Sequence, residues 1–306
     1  MNIEVRRCAS SDETGLSTRI YNETWPDAAV TLEEAQAFHE RMDDSEELIA
    51  FVGDEPAGSA ITGIGGFVGP STVFTLITVL PAKRCRGAGT ALYQAISSWS
   101  HARERATLRT RAREDDPDGL GYATRHGFAE VGRETDLTLE LTTLEPPSIE
   151  PPAGVEIASL ADRPDAERHV YDIAVETYPD IPDSEDYTFG DPSEWLRHHL
   201  HGPHQLAEAN FVAFAGDEAI GYAKLNLSPA RPGTAVHGMT AVRRAWRGRG
   251  IAGALKRAQI RWAIANGVER FETSNEARNE PMQRVNLALG YRPTSGTITL
   301  EGPLAT

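Results

Sequence analysis

The sequence predicts a mixed α/β fold that occurs twice, as two tandem domains, each a central mixed β-sheet flanked by helices. Three observations carry this expectation. A single ungapped offset of 163 residues superposes landmarks of the two halves: Phe51 of FVGDEPAG on Phe214 of FAGDEAIG, Val79 on Val242, Arg84 on Arg247, Gly87 on Gly250, Leu92 on Leu255, Trp99 on Trp262 and Gly127-Phe128 on Gly290-Tyr291. Self-similarity at a fixed offset marks duplicated structural units. Strand-like stretches and segments of helical period also alternate along each copy. Finally, 306 residues suffice for two domains, and the proline-rich stretch TTLEPPSIEPPAG separates the copies with extended, semi-rigid chain. The boundaries read from these features are 1–143, a linker at 144–153, and 154–306.

Each copy opens on a short strand, at 3–7 and at 155–158, followed by polar helix-forming sequence. Two strands then meet at a tight turn, Gly53-Asp54-Glu55 in the first copy and Gly216-Asp217-Glu218 in the second. In the second copy these strands span 210–215 and 219–227. A third strand is expected at 72–80 and at 235–242. After it Ile251, Leu255, Ala258, Trp262 and Ala265 recur at three- and four-residue steps, which predicts a helix. Gly267 ends it as a left-handed C′ residue. A strand at 270–273, a helix at 280–289 and a last strand at 297–300 complete the copy.

Composition excludes several classes. With 40% hydrophobic and 25% charged residues the chain has an ordinary globular balance. Its apolar runs fall short of the roughly 18 residues a membrane helix needs, and MNIEVRRCASSDE has no apolar leader segment, so the expected location is the cytoplasm with no membrane partner. The net charge of −15 argues against nucleic acid, whose binding requires Lys and Arg to neutralise phosphates. An acidic surface serves solubility or attracts cationic amines. Two cysteines, Cys8 and Cys85, make neither a disulfide scaffold nor a zinc site, and no metal is expected.

The chemistry concentrates in a basic, glycine-containing turn. The second copy reads VRRAWRGRGIAGAL from Val242 and the first VLPAKRCRGAGTAL from Val79. A strand ends, basic residues follow, and small residues open a helix. Helix N-termini present unpaired N–H groups and partial positive charge, and glycine lets phosphate oxygens approach the backbone. Gly248, Gly250 and Gly253 also spell the dinucleotide fingerprint G-x-G-x-x-G. That fingerprint should follow its strand directly and open a βαβ unit, whereas a basic loop intervenes here and the first copy has Thr90 at the third glycine. A P-loop is excluded because no G-K-[ST] follows.

The run R-x-x-G-x-G/A after a central strand resembles the acyl-CoA pyrophosphate loop of the GCN5-related N-acetyltransferase (GNAT) family. Arg84, Gly87 and Gly89 carry it in the first copy, and Arg247, Gly250 and Ala252 in the second. The resemblance extends over nearly the whole chain and includes the tandem architecture of mycothiol synthase-like proteins, in which the C-terminal copy is typically the active one. It implies an acetyl-CoA cosubstrate bound by Ala241, Val242, Arg247, Gly248, Arg249, Gly250, Ile251 and Ala252, with Val79, Arg84, Arg86, Gly87, Gly89 and Thr90 as counterparts. Ala241 and Val242 occupy the stretch where the family's central strand splays from its neighbour and offers N–H donors.

Beyond the loop, Asn279, Met282 and Asn286 fall at i, i+3 and i+7, on one helix face, and Asn275 at the end of the preceding strand. In tandem GNAT proteins this segment flanks the pantetheine arm, whose amides suit asparagine donors and acceptors. Asn279 reads equally as a helix cap. The first copy has Ala112, Asp116, Gly119 and Ala123 at the matching positions, so the asparagine face is missing there.

Acyl transfer to an amine needs a proton acceptor and oxyanion donors. In many family members a tyrosine five residues before the closing Gly-aromatic pair acts as acid. That position holds Asn286 here, and Ala123 in the first copy, with Tyr122 one residue off. The strand glutamate used as base in some members has no counterpart. His237 on the central strand is either a catalytic candidate or a structural histidine. A CoA thiolate leaves well enough for an acid to be dispensable. Asp180, Asp183, Glu185 and Asp186 form either an amine-binding loop or a solvated one. His198, His199, His201 and His204 read as a polar helix end rather than a metal site. Cys85 stands where the second copy has Gly248.

The expected function is transfer of an acetyl group from acetyl-CoA to a primary amine of a small molecule, in the C-terminal domain. The alternatives are a non-catalytic acyl-CoA-binding module and, on the three glycines alone, a nicotinamide-dependent oxidoreductase. The oligomeric state is monomer or homodimer.

Overall fold

The structure is a computed structural model, and it describes residues 2–65, 68–181 and 187–305. In chain order the elements are β1 (Ile3–Arg7), α1 (Ser11–Thr24), α2 (Leu32–Glu40), β2 (Asp44–Val52), β3 (Glu55–Ile64), β4 (Thr72–Val79), α3 (Ala88–His101), β5 (Thr107–Arg113), α4 (Pro117–Arg125) and β6 (Ala129–Glu140). They continue with β7 (Val155–Ser159), α5 (Glu167–Thr177), α6 (Pro192–Leu200), β8 (Phe211–Ala215), β9 (Glu218–Leu227), β10 (Thr234–Val242), α7 (Ile251–Ala265), β11 (Arg270–Glu276), α8 (Glu280–Ala288), β12 (Arg292–Pro293) and β13 (Thr297–Pro303). Local sequence accounts for several starts. Ser10 caps α1 through Glu13 N, and Thr31 with Glu34 forms a capping box on α2.

The chain divides into two compact units, Met1–Arg133 with Gly296–Thr306, and Glu134–Ser295. In the first unit the strand order is β1-β2-β3-β4-β5-β13. The first four strands are antiparallel, β4 and β5 are parallel, and β13 closes the edge antiparallel to β5, from Thr297 opposite Arg113 to Pro303 opposite Thr107. In the second unit the order is β6-β11-β10-β9-β8-β7. β10 and β11 are its parallel pair, and β6 runs antiparallel to β11, from Glu134 opposite Glu276 to Glu140 opposite Arg270.

Each unit is therefore completed by the strand that sequence order assigns to the other. The linear boundaries 1–143 and 154–306 do not describe this division: β6 leaves the first copy and β13 leaves the second. The strands and helices themselves fall where the periodicity placed them, with β10, α7, β11 and α8 within a few residues of expectation. The terminal strand is longer than expected.

Both faces of each sheet are covered. In the first unit α3 packs Leu92, Ile96 and Trp99 against Leu48, Ala50, Val73 and Leu108. In the second, α7 contributes Leu255 and Ile260 to two clusters that include Ile220, Leu225, Ala235 and Phe271. On the opposite face α5 and α6 bury Val170, Ile173 and Trp195 over Phe214 and Tyr222. Fully burying such a side chain contributes about 1.5–3 kcal/mol. Among the described residues no helix is long and apolar enough to cross a membrane.

The strand exchange makes a direct prediction. Ending the chain at Ser295 removes β13, so the β5 amides lose ladder partners. Hydrogen exchange at Leu108, Thr110 and Ala112 should speed up, while the β10 and β11 amides of the second unit keep their protection. Loss of protection in β11 instead would mean that β13 completes the second unit.

Candidate functional site

Parallel pairing between β10 and β11 covers three residues on each strand, Thr234 to Val236 against Arg270 to Glu272. From His237 onward β10 is bonded only to β9, and that register slips between His237 and Thr240, a one-residue bulge. The β11-facing edge of β10 from 237 to 242 is thus unpaired by strand. It includes Ala241 and Val242, both buried and paired on their other side with Tyr222 and Gly221. The first unit parts in the same way after Phe74 and Arg109.

β10 runs into the basic turn. Arg243 Nε donates to Ala219 O at 2.8 Å and Nη1 pairs with Glu176 at 2.7 Å. Gly248 and Gly250 have φ of +75° and +84°, the left-handed region. A Cβ at either position would meet nothing within 4 Å, so it is backbone conformation, not crowding, that calls for glycine here. Gly250 is the residue before α7, which has no side-chain cap, and its first N–H groups are left for solvent or a ligand. Ile251 is buried and Ala252 half-buried at the helix start; Arg249 lies over the Trp246 ring at 4.6 Å and donates to Ala245 O.

Arg247 donates to Val242 O at 3.0 Å and to Asp180 at 2.7 Å, and Arg244 holds the same carboxylate through Nε and Nη2 at 2.9 and 2.7 Å. Arg244 first, then Arg247, keeps the Asp180 carboxyl below its ordinary range. Asp180 is therefore committed to the loop arginines rather than standing in an amine-binding loop. Asp183, Glu185 and Asp186 lie outside the described residues.

The loop of the first unit has the same backbone and different occupants. Cys85 takes φ +59° where the second unit has Gly248, and Gly87 takes +90°. Ile3 Cδ1 lies 2.6 Å from where a Cβ on Gly87 would sit, whereas the same position over Gly250 is open. Arg84 forms a two-pronged pair with Asp116 at 3.1 and 3.0 Å, and Asp116 is also the cap of α4, accepting from Gly119 N. Val79 is half-buried opposite Gly58, Gly89 faces Val79 and Tyr122, and Arg86 and Thr90 are exposed.

The asparagines are used internally. Asn279 is the N-cap of α8, its Oδ1 accepting from Met282 N at 3.3 Å, so it stands before the helix and not on its face with Met282 and Asn286. Asn286 is fully buried and donates to Asn275 Oδ1 at 2.6 Å, which ties α8 to β11. Of the two readings of Asn279, the structure has the helix cap. The histidines also separate: His199 stacks on Trp195 at 4.0 Å, His201 meets Glu167 at 3.0 Å, and His198 meets Arg197 at 2.8 Å. Among the described residues no group of three His, Cys, Asp or Glu could hold a metal.

His237 is buried, edge-on to Phe271 at 4.4 Å and to Tyr291 at 5.8 Å. Burial, then the charge of Lys256, pushes its imidazole well below the ordinary range. Gln259 stands close enough to favour protonation, yet neither ring nitrogen reaches hydrogen-bond geometry. Lys256, on α7, is 1% exposed and lies 5.6 Å from the Tyr291 ring centroid. No carboxylate among the described residues reaches it, and burial lowers its ammonium to about 7. Lys256, Gln259 and Tyr291 were not singled out as site residues from sequence. The available signal was composition: Lys256 is one of three lysines in the chain, and it sits with Gln259 on the core face of an otherwise apolar stripe.

The sign of the Lys256 effect follows from linkage. Its folded value of about 7 lies below 10.5 for the unfolded chain. Between the two the unfolded state binds more protons, so stability rises with pH across that window, and the destabilisation is complete below pH ~7. Lys256→Met should therefore raise the denaturation midpoint most at pH ~6, with the gain fading toward pH ~10. A gain that does not change with pH would show that Lys256 has the same proton affinity in the folded and the unfolded chain.

The fold has counterparts. The Acetyltransferase (GNAT) family matches the chain twice, over residues 14–128 and 168–291. No curated protein matches it. Among solved structures, the chain is similar to a tandem GNAT protein from the clavulanic acid biosynthesis pathway, with a TM-score of 0.78 and 18% identity over 100% of this chain and 99% of that one. It is also similar to a GCN5-related N-acetyltransferase from Sphaerobacter thermophilus, at 0.77 and 20% over 99% and 96%. A GNAT-family acetyltransferase from Colwellia psychrerythraea matches at 0.62 and 13% over 98% and 99%. At these identities the likeness is one of fold. Members of the family are acyl-CoA-dependent acetyltransferases. By the two family matches, each covering one copy of the repeat, this chain belongs to the GNAT acetyltransferase family as a tandem two-domain member.

Proposed function

We propose that the chain transfers an acetyl group from acetyl-CoA to a primary amine of a small molecule, and that the Glu134–Ser295 unit performs the reaction. The observation that carries this reading is the second unit's parted strand, running without interruption into a turn with two open left-handed glycines and an uncapped helix N-terminus. Arg247, Gly248, Arg249, Gly250, Ile251 and Ala252 would hold the pyrophosphate, with phosphate oxygens replacing Asp180 on Arg244 and Arg247. The unpaired edge of β10, including Ala241 and Val242, would receive the pantetheine arm and supply N–H donors to the carbonyl oxygen as charge develops there. Asn275 and Asn286 would brace the wall beside it, and Asn279 would set the start of α8.

The neutral amine nitrogen bonds to the thioester carbon, the C–S bond breaks, CoA leaves as thiolate, and the nitrogen loses one proton to water to give the amide. The first unit is read as a structural partner. Its loop arginine is held by Asp116, Ile3 covers Gly87, and its Asn275 and Asn286 positions are Ala112 and Ala123. One observation favours the alternative of a non-catalytic acyl-CoA-binding unit: the family's acid position holds Asn286, which is buried against Asn275.

Free-thiol release from acetyl-CoA, measured with spermidine, kanamycin, glycine and a short peptide with a free N-terminus, separates the readings. Gly250→Glu should lower turnover by roughly 100-fold, equivalent to about 2–3 kcal/mol, by bringing negative charge to the pyrophosphate site. Gly87→Glu should leave turnover within about 3-fold. Equal losses would assign chemistry to both units. Acetyl-CoA binding without turnover of any amine would favour the binding unit.

A further inference from the structure

Each copy carries the pentapeptide E-T-[WY]-P-D, at 23–27 in the first and at 176–180 in the second. In both, the proline has no N–H to continue a helix. The helix before it ends, α1 at Thr24 and α5 at Thr177, and a single tight turn follows. The two aspartates then go to different partners. Asp27 pairs with Arg113 of β5 at 3.0 Å. The 163-residue offset puts Glu276 at that position of the second copy, and Arg244 where the first has Pro81. Asp180 accordingly lies on the loop arginines. It accepts from Arg244 Nε and Nη2 at 2.9 and 2.7 Å, and from Arg247 Nη2 at 2.7 Å.

This carboxylate covers the donors that a diphosphate would use, and little else holds it there. Arg247 Nε stays on Val242 O at 3.0 Å, so the strand end anchors that guanidinium. Among the described residues Asp180 has no partner besides the two arginines, and its side chain is 32% exposed. Asp116 of the first unit differs: it holds Arg84 and also caps α4 through Gly119 N at 3.1 Å, so the helix fixes its place as well. The turn that carries Asp180 also carries Tyr178, and Ile181 N closes it on Tyr178 O at 2.9 Å. The Tyr178 ring lies 4.5 Å from Tyr187 and 5.2 Å from Phe189, and Trp195 Nε1 donates to Tyr187 OH at 2.9 Å. These rings belong to the cluster that packs on Met239 and Ala241, on β10 beyond its parting from β11.

We propose that Asp180 is an internal competitor for the diphosphate of the acyl-CoA, and that its displacement from Arg244 and Arg247 frees the turn that holds Tyr178 against the β10 cluster. The inference rests on the acetyltransferase reading above and adds a control on the same site. With the loop empty, Asp180 stands in for phosphate oxygens, and the turn is tethered on one side by the arginines and on the other by the aromatic rings. A diphosphate brings more charge and more acceptor oxygens to the same guanidiniums. Asp180 then turns to solvent, and the arginine tether is lost. The apparent affinity of the loop is its intrinsic affinity multiplied by the fraction of molecules whose arginines are uncovered. Filling the loop and loosening the Tyr178 turn are therefore one event, and the signal passes from the diphosphate to the β10 face that carries Met239 and Ala241.

The sign of one effect tests this, by isothermal titration of the intact chain with acetyl-CoA. Asp180→Asn should tighten binding about 5- to 10-fold, because both guanidiniums are uncovered before the ligand arrives. Glu176→Gln removes the same unit of charge from the same loop. Glu176 holds Arg243 Nη1 and the Arg244 amide at 2.7 and 2.8 Å rather than the two displaced guanidiniums, so this change should alter the affinity less than about 3-fold. Weaker binding in Asp180→Asn would make Asp180 a support that positions the arginines for the ligand. Equal tightening in both variants would reduce the effect to net charge. Either result overturns the competition. Hydrogen exchange reads the coupling. Acetyl-CoA should slow exchange at 247–254 of the wild type and speed it at the Ile181 amide by at least about 3-fold, whereas in Asp180→Asn that amide should exchange at the faster rate with or without ligand. Slowing at 247–254 with no change at Ile181 would overturn the coupling and leave the acyl-CoA reading intact. Failure of the wild type and of Asp180→Asn to bind acetyl-CoA would remove the reading and the competition together.

Discussion

The second unit depends on a strand that must leave its neighbour. β10 keeps three residues of parallel pairing with β11 and then parts from it, while β9 holds its other edge through a bulge. A buried strand edge carries N–H and C=O groups that require partners, so a sheet that opens in its middle is costly unless something is meant to occupy the opening. The left-handed glycines, the uncapped N-terminus of α7 and the arginines that carry Asp180 all lie directly beyond this edge. Strand, turn and helix form one continuous track of donors and positive charge, in a chain whose overall charge is −15.

The duplicated unit shows which of these features belong to the fold. Its strand parts in the same place and its loop follows the same backbone, even to Cys85 adopting a left-handed φ that suits glycine better. What differs is charge and occupancy. Asp116 caps α4 and holds Arg84 in one geometry, where the second unit has the neutral cap Asn279. The apolar interior around Tyr93, Ile96 and Phe128 becomes Lys256, Gln259 and Tyr291. Both units keep the scaffold, and only one keeps the polar chemistry.

Much of this was legible in the residues. Ungapped repetition fixed the strands, the helix after the loop and the position of the glycine turn, because hydrophobic period and left-handed glycines are local properties. The exchange of β6 and β13 was not legible. Both present alternating patterns to equivalent edges, so either pairing buries the same faces, and sequence alone does not choose between them. The asparagines were legible only in part: i, i+3, i+7 spacing says which residues share a helix face only if all lie in the helix, and spacing does not choose between that and the cap that Asn279 forms. The interior of Lys256 was hidden because a lysine at helical spacing ordinarily reads as solvated, and its burial depends on β10, β11 and the residue after α8 meeting in space.

One unit of the pair, on this reading, is built to receive an acyl-CoA. Isothermal titration of the intact chain with acetyl-CoA, read together with hydrogen exchange across both loops, tests this most directly. One molecule should bind per chain, with protection gained at 247–254 and along β10, and none at 84–91. Two molecules per chain, or protection confined to the first loop, would contradict it.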